Sequence, residues 1–530
     1  MPLSHDTLYP SRRSPVLARN VVAASHPLAA QAGLRMLLKG GNAADAALAT
    51  AIALVVLEPT GNGLGSDAFA IIFDGEELHG LNASGRSPKG FSPERFAGQK
   101  AMPKRGWDSV TVPGAISAWR DISRGFGALP FATLFEPAVD YAEAGYNVSP
   151  IIAEVWRRNA EDLKDQPGFA EAWMTGGNAP KAGELFVNKP LARSLRLIAE
   201  TEGEAFYRGE LAERIAGFAK THGAAMTVDD LAAHQNDWCG TISQAFGDAE
   251  LHEIPPNGQG IAALMALGIL RLLGIEELDP DSADALHLEL EAMKLAFADV
   301  GRFVADPRYM TTSPKALLDP SYLATRSRLL DRKKAQVFGA GAPKTGGTVC
   351  LATADASGKM VSYIQSNFSG FGSGVVVPGT CISLQNRASG FSLEPGHPNE
   401  VGPDKRPFHT IIPGFVTRGG KPHMAFGLMG GPMQAQGHVQ MFLRTQIWGQ
   451  DPQTSADAPR WRFNYGLEVA IEPGYSADTM TSLRDRGHAI SDEASDVNFG
   501  FGGAQLVARH PEGGYIAGSD PRKDGLAIGF

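Results

Sequence analysis

Residues 344–366 read KTGGTVCLATADASGKMVSYIQS, and the architecture of the chain depends on how they are interpreted. Two runs rich in β-branched and apolar residues, TVCLATAD (348–355) and MVSYIQS (360–366), flank the turn ASGK (356–359), which predicts a β-hairpin. The residues before the hairpin, 331–347, are rich in Lys, Gly, Ala and Pro and show no sustained period, so they predict an exposed connection. The first strand of the hairpin therefore begins directly after a glycine pair.

The predicted secondary structure differs on the two sides of this connection. Upstream, apolar residues recur at helical spacing in four segments, and a short apolar run predicts a strand between them. Downstream, strand-like runs and glycine-rich stretches dominate. The segments are 129–144, 190–200, 260–273 and 283–304 for the helices, 68–73 for the upstream strand, and 424–428 and parts of 502–530 for the downstream strands. Without further motifs, the pattern indicates a two-domain α+β protein joined by residues 331–347.

The longest apolar run without charges, residues 46–57, predicts a buried helix. Asn42 and Asp45 stand at capping-box spacing at its start, and Glu58-Pro59 ends it. The run is about half of the ~20 residues that a membrane span needs. No apolar segment follows the arginines of the first twenty residues, as a secretory signal would require. We therefore expect a cytoplasmic protein without a membrane partner.

Composition and spacing argue against several classes of function. The 48 Lys and Arg residues against 57 Asp and Glu residues give a net charge of -9, so no global basic field attracts nucleic acid. Cys239, Cys350 and Cys381 are far apart without C-x-x-C spacing, which argues against a disulfide framework and a structural zinc site. The histidines show no metal-ligand spacing, and the G-x-x-x-x-G-K-[ST], H-E-x-x-H and G-x-S-x-G motifs are missing. We therefore expect neither a metal nor a cofactor.

Thr348, preceded by Gly346 and Gly347, is the strongest candidate for chemistry. A Thr hydroxyl is a weak nucleophile unless a base lies beside it, and a chain-terminal amine with a pKa of about 7.7–8.0 can be that base. The bond between residues 347 and 348 must then be cut, and glycine at 347 allows backbone geometries that bring the hydroxyl to the preceding carbonyl. A turn glycine pair that enters a hairpin is the alternative, and the motif alone does not separate the two interpretations.

Motifs spread over the chain from residue 40 to residue 525 add to this picture. They are GGNAADAA (40–47), EPTGNGLG (58–65), GRSP (85–88), VPGAISAW (112–119), LFEPAVDYAEAGY (134–146), EIPPNGQG (253–260), TVCLATADASGK (348–359), FGSGVVVPGT (371–380), KRPFHTIIP (405–413), MGG (429–431) and SDPRKDG (519–525). In this order they resemble the gamma-glutamyltranspeptidase family of N-terminal nucleophile hydrolases. The resemblance implies an α+β fold, a four-layer αββα sandwich. It also implies a proenzyme that cuts itself into a large chain, 1–347, and a small chain, 348–530, which together form one catalytic domain.

The resemblance also implies a role for each matching residue. Thr348 matches the nucleophile, whose own amine acts as the base, and Ser366 matches the hydroxyl residue that supports it. Gly430 and Gly431 match the pair whose backbone N–H groups hold the oxyanion, and a tight turn between strands is compatible with that role. Arg86 matches the arginine whose planar fork clamps a substrate carboxylate, with a solvated loop arginine as the alternative.

The chain departs from the family where a substrate ammonium is held. Glutamyl-transferring members carry Asp-Asp before Phe-Ser, and the second Asp binds the ammonium, whereas this chain has Gly390 there and Arg387 nearby. Asn367 is displaced by one position from the family's asparagine, and His409 and Thr410 replace a Ser-Ser pair. The carboxylate clamp and the oxyanion pair are thus retained, while the ammonium site is not.

We therefore expect a self-processing amidohydrolase in which Thr348 attacks an amide carbonyl and water or an amine resolves the acyl-enzyme. Two substrate classes stay open. They are γ-glutamyl compounds such as glutathione, bound around Asn367, His409 and Thr410, and small carboxylate-bearing amides such as oxamate. The segments RASGF and FHT, and a connection too short for a lid loop, resemble the branch of oxamate amidohydrolases and acylases.

A catalytically inactive member that acts as a binding protein is the alternative from a different class. The expected partners are the small-molecule amide and the two chains of the same precursor. Nucleic acid is not expected as a partner, and a homo-oligomer stays open.

Overall fold

The computed structural model describes residues 13–338, 347–492 and 500–530. The strands, in chain order, are β1 (Val16–Ala18), β2 (Val21–Ala24), β3 (Asp67–Phe73), β4 (Leu78–Ala83), β5 (Tyr146–Asn147), β6 (Leu185–Phe186), β7 (Asp237–Trp238), β8 (Ile242–Phe246), β9 (Ala249–Glu253), β10 (Gly347–Ala354), β11 (Met360–Phe368), β12 (Val376–Val377), β13 (Ile382–Ser383), β14 (Pro413–Arg418), β15 (Lys421–Met429), β16 (Trp461–Tyr465), β17 (Glu468–Ile471), β18 (Ala489–Asp492), β19 (Gly503–Arg509), β20 (Tyr515–Ser519) and β21 (Leu526–Gly529).

The α-helices are α1 (Pro27–Leu38), α2 (Ala43–Leu57), α3 (Ala115–Phe126), α4 (Glu136–Ala144), α5 (Pro150–Leu163), α6 (Phe169–Trp173), α7 (Lys189–Glu200), α8 (Glu204–Tyr207), α9 (Glu210–Thr221), α10 (Val228–Ala232), α11 (Gly260–Leu272), α12 (Ala283–Phe303), α13 (Pro314–Leu317), α14 (Pro320–Ser327), α15 (Met433–Phe442), α16 (Pro452–Asp457) and α17 (Ala477–Asp485). Short 3-10 helices lie at Pro93–Phe96, Trp107–Ser109, Phe131–Phe135, Ile275–Glu277, Pro307–Tyr309 and Arg387–Gly390, and a π-helical turn lies at Leu443–Ile447.

Two antiparallel sheets of seven described strands each form the centre of the molecule. The first, called here the Thr348 sheet, has the order β21-β2-β10-β11-β3-β4-β7, and the second, the facing sheet, has the order β1-β20-β19-β15-β14-β9-β8. Each sheet combines strands from before and after residue 347. The interpretation of two domains joined at 331–347 is therefore wrong, because the two parts of the chain share both sheets.

Three hydrophobic cores separate four layers. The middle core lies between the two sheets, and it joins residues such as Cys350 and Ile364 of the Thr348 sheet to Phe415 and Ala425 of the facing sheet. An outer core packs α1, α2 and α3 on the Thr348 sheet. The other outer core packs α11, α15 and α16 on the facing sheet, with α12 against α11. This arrangement is the expected four-layer αββα sandwich.

The predicted hairpin is formed by β10 and β11, which pair along their length. Its side chains alternate between two cores, as a strand with two buried faces requires. Val349 and Leu351 belong to the outer core, whereas Cys350 and Ala352 belong to the middle core. Thr348 lies two residues before Cys350 and so on the same face of β10. Its side chain is therefore expected to point between the two sheets.

The capping box predicted before residue 46 is present. Asn42 Oδ1 accepts hydrogen bonds from the N–H groups of Ala44 and Asp45, and Asp45 Oδ2 accepts from the Asn42 N–H at 2.9 Å. All residues of α2 are buried, as expected for a helix that is apolar on every side. Among the described residues, none of the helices combines the length and the apolar character needed to cross a bilayer.

The other predicted elements also form, with shifted bounds. The helices predicted at 190–200, 260–273 and 283–304 are α7, α11 and α12, and the strands predicted at 68–73 and 424–428 are β3 and β15. The segment 129–144 is only half α-helical, because the 3-10 helix Phe131–Phe135 precedes α4. Residues 331–338 are mostly exposed, as predicted, while residues 339–346 of the same connection lie outside the described residues.

Candidate active site

Thr348 lies at the start of β10, where the pairing with β11 is irregular between Gly347 and Val349. Its side chain is 1% exposed. The Thr348 hydroxyl donates to Ser366 Oγ at 3.2 Å and accepts from Gln434 Nε2 at 3.3 Å. Ser366 Oγ also accepts from the Phe368 N–H at 2.8 Å. The hydroxyl is therefore held from both sheets, by Ser366 of β11 and by Gln434 of the helix that follows β15.

Gly430 and Gly431 form the link between β15 and α15. Their φ angles are +124° and +62°, which side chains rarely allow, so glycine is needed at both positions. Gln434 lies in the first turn of α15, and its N–H donates to the Gly431 carbonyl at 3.1 Å. Gln259 Nε2 donates to the same carbonyl at 2.8 Å. The glycine pair thus lies one helical turn from the residue that contacts the Thr348 hydroxyl, at the positive end of a helix dipole.

Asn367 is buried beside Thr348 at the end of β11. Its Oδ1 accepts from Ser66 Oγ at 2.8 Å, and its Nδ2 has no hydrogen-bond partner among the described residues. Its main chain is fixed as well, because the Asn367 N–H donates to the Gly61 carbonyl at 3.0 Å. The GNGLG run, 61–65, therefore packs against the site. Asn367 offers one free amide N–H₂ group there.

His409 is fully buried and pairs with Asp67, a residue that sequence reasoning missed. His409 Nδ1 accepts from the Ile411 N–H at 3.3 Å, which leaves Nε2–H to donate to Asp67 Oδ2 at 3.1 Å. Burial lowers the pKa of His409 well below its ordinary value and raises the pKa of Asp67 to about 7, although the charge of Arg387 opposes the second shift. His409 is therefore neutral. The signal for Asp67 in the sequence is weak, a single acid before the apolar strand β3.

Arg387 is the other charged group of the site, and its side chain is 1% exposed. It begins the 3-10 helix Arg387–Gly390, and its Nη1 donates to Thr410 Oγ1 at 2.9 Å. Its guanidinium carbon lies 4.7 Å from the centroid of the Phe368 ring. Burial lowers its pKa to about 9, against the opposing effect of Asp67, so it stays charged at neutral pH. The Nε and Nη2 atoms of Arg387 have no partner in the described part of the chain.

Gly390 offers no room for a side chain. A Cβ atom at this position would lie 2.7 Å from the Phe408 carbonyl oxygen, closer than real contacts allow. An acidic residue at position 390 would therefore require a shift of the main chain. This agrees with the sequence-based view that the chain lacks the ammonium-binding acid.

Arg86 is half-buried and already paired with acids. Its Nη1 lies 3.0 Å from Asp306 Oδ2, its Nε lies 3.8 Å from Asp404 Oδ1, and its side chain is 28% exposed. It lines a cleft of about 250 Å³ together with Asp237 and His234. The neighbouring Gly85 N–H donates to Asp67 Oδ1 at 3.2 Å, which links this cleft to the site. A role for Arg86 as the carboxylate clamp stays a prediction, since a substrate would compete with both acids.

One group of His, Cys, Asp and Glu side chains in the described ranges has its ligand atoms within 4.8 Å of one another. It consists of His287, Glu291 and His488, and it lies away from Thr348, between α12 and the turn before β18. His287 Nδ1 is 2.8 Å from His488 Nε2, and Glu291 Oε1 accepts from Lys294 Nζ at 2.6 Å. The two histidines contact each other, and Lys294 neutralises Glu291, the one acid of the group.

The structure thus brings together Thr348, Ser366 and Asn367 on one sheet with the glycine pair at the end of the other. It also adds four buried side chains that sequence reasoning did not assign to the site. They are Asp67, Gln259, Arg387 and Gln434.

The chain is similar to known proteins over almost its whole length. A family model described as gamma-glutamyltranspeptidase matches residues 29–530. The chain is 36% identical over 526 residues to a glutathione hydrolase-like YwrD proenzyme of Bacillus subtilis, which covers 98% of this chain and 100% of the relative. It is 36% identical over 530 residues to an oxamate amidohydrolase proenzyme of Klebsiella pneumoniae, with 98% of this chain and 99% of the relative covered.

Among solved structures, the cephalosporin acylase from Bacillus halodurans is similar over the whole chain. It superposes with a TM-score of 0.96 at 44% sequence identity and covers 100% of this chain and 99% of its own. A gamma-glutamyltranspeptidase of Pseudomonas nitroreducens reaches a TM-score of 0.56 at 26% identity, with 60% of this chain covered.

Proposed function

Because the chain belongs to the gamma-glutamyltranspeptidase family, we propose that it is a proenzyme that cuts itself between Gly347 and Thr348. It is an enzyme of the gamma-glutamyltransferase-like amidohydrolase type. The relatives named above are proenzymes, which supports a large chain, 1–347, and a small chain, 348–530. Both sheets interleave strands from the two parts, so the chains would stay together as one catalytic domain after the cut.

The observation that carries this proposal is the setting of the Thr348 hydroxyl. It lies between the hydroxyl of Ser366 and the amide of Gln434, at the start of a central strand and one helical turn from Gly430 and Gly431. A hydroxyl that accepts from an amide and donates to a second hydroxyl is oriented before reaction begins. The nearby glycine N–H groups can serve as oxyanion donors, as such groups do in acyl transfer.

In the processing step, Thr348 Oγ attacks the Gly347 carbonyl carbon. The C–N bond between residues 347 and 348 breaks, the freed amine takes the hydroxyl proton, and an ester joins Gly347 to Thr348 Oγ. Water then hydrolyses this ester and releases the Gly347 carboxylate. The product is a Thr348 residue with a free amine, whose pKa of about 7.7–8.0 leaves a neutral fraction that can act as a base.

Turnover of substrate repeats the same chemistry on an external amide. The Thr348 amine takes the hydroxyl proton as Oγ attacks the carbonyl carbon, and the oxyanion faces Gly430 and Gly431. The amide C–N bond breaks, the leaving amine takes the proton from the Thr348 ammonium, and water or an acceptor amine resolves the ester. The small-molecule partner is therefore an amide that carries its acyl group to Thr348.

We propose that the acyl group carries a carboxylate and no ammonium. Gly390 holds no acid, and a Cβ there would meet the Phe408 carbonyl. The oxamate amidohydrolase relative supports this substrate class. A γ-glutamyl compound is the second candidate, favoured by the buried acid Asp67 and by the glutathione hydrolase-like relative.

A denaturing gel with intact mass analysis tests the processing step. Wild-type protein should give chains 1–347 and 348–530, and Thr348→Ala should give one full-length chain. Thr348→Ser is the matched control, because it keeps a hydroxyl and should still be cut. A purified wild type that hydrolyses amides while uncut would contradict the proposal, and an uncut, inactive wild type would favour the alternative of a binding protein.

A further inference from the structure

Arg387 is a buried charge whose hydrogen-bonding capacity is only partly used. Nη1 is bonded to Thr410 Oγ1, while Nε and Nη2 have no partner among the residues that the structure describes. A buried guanidinium without partners is unfavourable, so natural structures usually satisfy each of its N–H groups. The unused atoms are the pair that lies along one edge of the guanidinium. This edge is the one that binds a carboxylate with two parallel hydrogen bonds.

Arg387 is connected to the surroundings of Thr348 on two sides. The Phe368 ring, against which the guanidinium stacks, is on the residue paired across the sheet with Gly347. On the other side, Gln259 Nε2 donates both to the Thr410 carbonyl and to the Gly431 carbonyl. Arg387 is thus linked to Gly347 through Phe368, and to Gly431 of the proposed oxyanion pair through Thr410 and Gln259.

The positive charge of Arg387 is not matched by an ion pair. Within the described ranges, no carboxylate oxygen lies within 4.0 Å of its nitrogens. Asp67 is the acid that influences it, and both oxygens of Asp67 already accept hydrogen bonds from His409 and Gly85. His409 itself is neutral for the reason given above, and the positive charge of the nearby Arg406 is already paired with Asp237. The field at the free edge therefore favours an anion and disfavours an ammonium.

We propose that Arg387 is the specificity-determining residue of this site, and that its Nε and Nη2 atoms receive a carboxylate of the substrate's acyl group. This inference rests on the proposed function and names its substrate class, the monoamides of small dicarboxylic acids. Thr410 positions the guanidinium through Nη1, and the Phe368 ring supports its face. Arg86, whose guanidinium is already paired with Asp306 and Asp404, is not the main receptor of that carboxylate.

The test compares matched pairs of anilide donors with processed enzyme. Oxalyl, succinyl and glutaryl anilides are each paired with the same donor in which the free carboxylate is a neutral carboxamide. For the best acid donor, wild type should prefer the charged form by about 100-fold in kcat/KM, as expected for a desolvated charge pair. Arg387→Gln should bring the kcat/KM values of the charged and neutral forms within a few-fold of each other. Arg387→Lys should be intermediate, because a point charge cannot reproduce the fork.

Two control variants separate this inference from its alternatives. Arg86→Gln should keep most of the preference, and Thr410→Val should lose part of it, which also covers the case in which Arg387→Gln does not fold. Equal losses for charged and neutral donors in Arg387→Gln, or loss of the preference only in Arg86→Gln, would overturn the inference. Should wild type be uncut and hydrolyse no anilide, the proposed function fails instead.

A binding measurement keeps the inference testable even then. Calorimetry with oxalate and glutarate as probes needs no turnover. Wild type should bind at least one of the two dianions, and Arg387→Gln should weaken that binding by about 100-fold. Failure of wild type to bind either dianion, or equal binding by both proteins, would overturn the inference.

Discussion

Two buried polar clusters in this molecule use their hydrogen-bonding groups in opposite ways. In the first, called here the clasp, His287, Glu291 and Lys294 of α12 meet His488. Both Glu291 oxygens accept hydrogen bonds, one from Lys294 Nζ at 2.6 Å and one from the Gln336 N–H at 3.0 Å. Both nitrogens of His287 are also engaged, although His488 Nδ1 has no partner among the described residues. In the second cluster, around Arg387, two atoms of one charged group stay unused.

The partners of the clasp explain what it does. His287 Nε2 lies 2.7 Å from the Asp331 carbonyl, and Lys294 Nζ donates to the Gln336 carbonyl at 3.3 Å. These carbonyls belong to the connection that precedes the proposed cut. The clasp therefore anchors this connection to α12, and its charges serve the fold. A charged group whose fork is left open beside a nucleophile is instead available to a ligand.

The largest loss in free energy of unfolding is expected from breaking the clasp. Glu291→Ala leaves the Lys294 ammonium buried without its acid, which costs about 3–5 kcal/mol in similar buried pairs. Urea unfolding should show this loss in a Thr348→Ala background, where the protein is expected to be one chain. The double variant Glu291→Met with Lys294→Met is the control, and it should recover most of the loss. A loss below about 1 kcal/mol in the single variant would show that the clasp is not structural.

A smaller effect, dependent on pH, is expected at Asp67. Its folded pKa of about 7 lies above its unfolded value of about 3.9, so its contribution to stability is fully present below pH 4 and is lost as the pH rises through 7. Wild type should therefore lose stability relative to Asp67→Asn from pH 4 to pH 8, by on the order of 1 kcal/mol or more. His409, Arg387 and Arg406 face this carboxyl. What these groups contribute equally to the stability of both proteins cancels when the two free energies of unfolding are subtracted at each pH.

Urea unfolding of both proteins at several pH values, again in the Thr348→Ala background, measures this difference. A constant difference would mean that Asp67 stays ionised over the whole range. The acid would then be a permanent counter-charge for Arg387, and the contrast with the clasp would weaken.

The smallest effect on stability is expected at Arg387 itself. Arg387→Met removes a buried charge whose Nε and Nη2 atoms lack partners, and it keeps a similar volume, so the free energy of unfolding should fall by no more than about 1 kcal/mol or should rise. Activity on carboxylated amides should fall at the same time. A loss of stability as large as that of Glu291→Ala would mean that Arg387 serves the fold as the clasp does.

Local features of the molecule could be predicted from the sequence. The capping box at Asn42 and the hairpin after Gly347 depend on neighbours within a few residues, so residue type and spacing were sufficient. Thr348 was singled out by the preceding glycine pair together with the family resemblance, and its role as the nucleophile stays a prediction. The order of the strands could not be predicted from spacing, because β2, β3 and β10 come from distant parts of the chain.

The side chains of the site that sequence reasoning missed also come from distant parts of the chain. Gln434 reaches Thr348 from the helix after β15, and Arg387 reaches Thr410 from a separate turn. Asp67 reaches His409 from β3, the other sheet partner of β11. Sequence reasoning noted Arg387 only as a charge of the wrong sign for an ammonium. Whether its hydrogen-bonding atoms are paired is a property of the folded interior, and that property carries the inference about the substrate.

We infer that the Thr348 hydroxyl forms the acyl-enzyme. Rapid acid quench of processed enzyme during turnover of its best anilide donor, followed by mass analysis, measures this directly. We expect chain 348–530 to gain the mass of the acyl group, fragmentation to place it on Thr348, and chain 1–347 to gain nothing. An acyl group on any other residue, or steady turnover by Thr348→Ala, would contradict it.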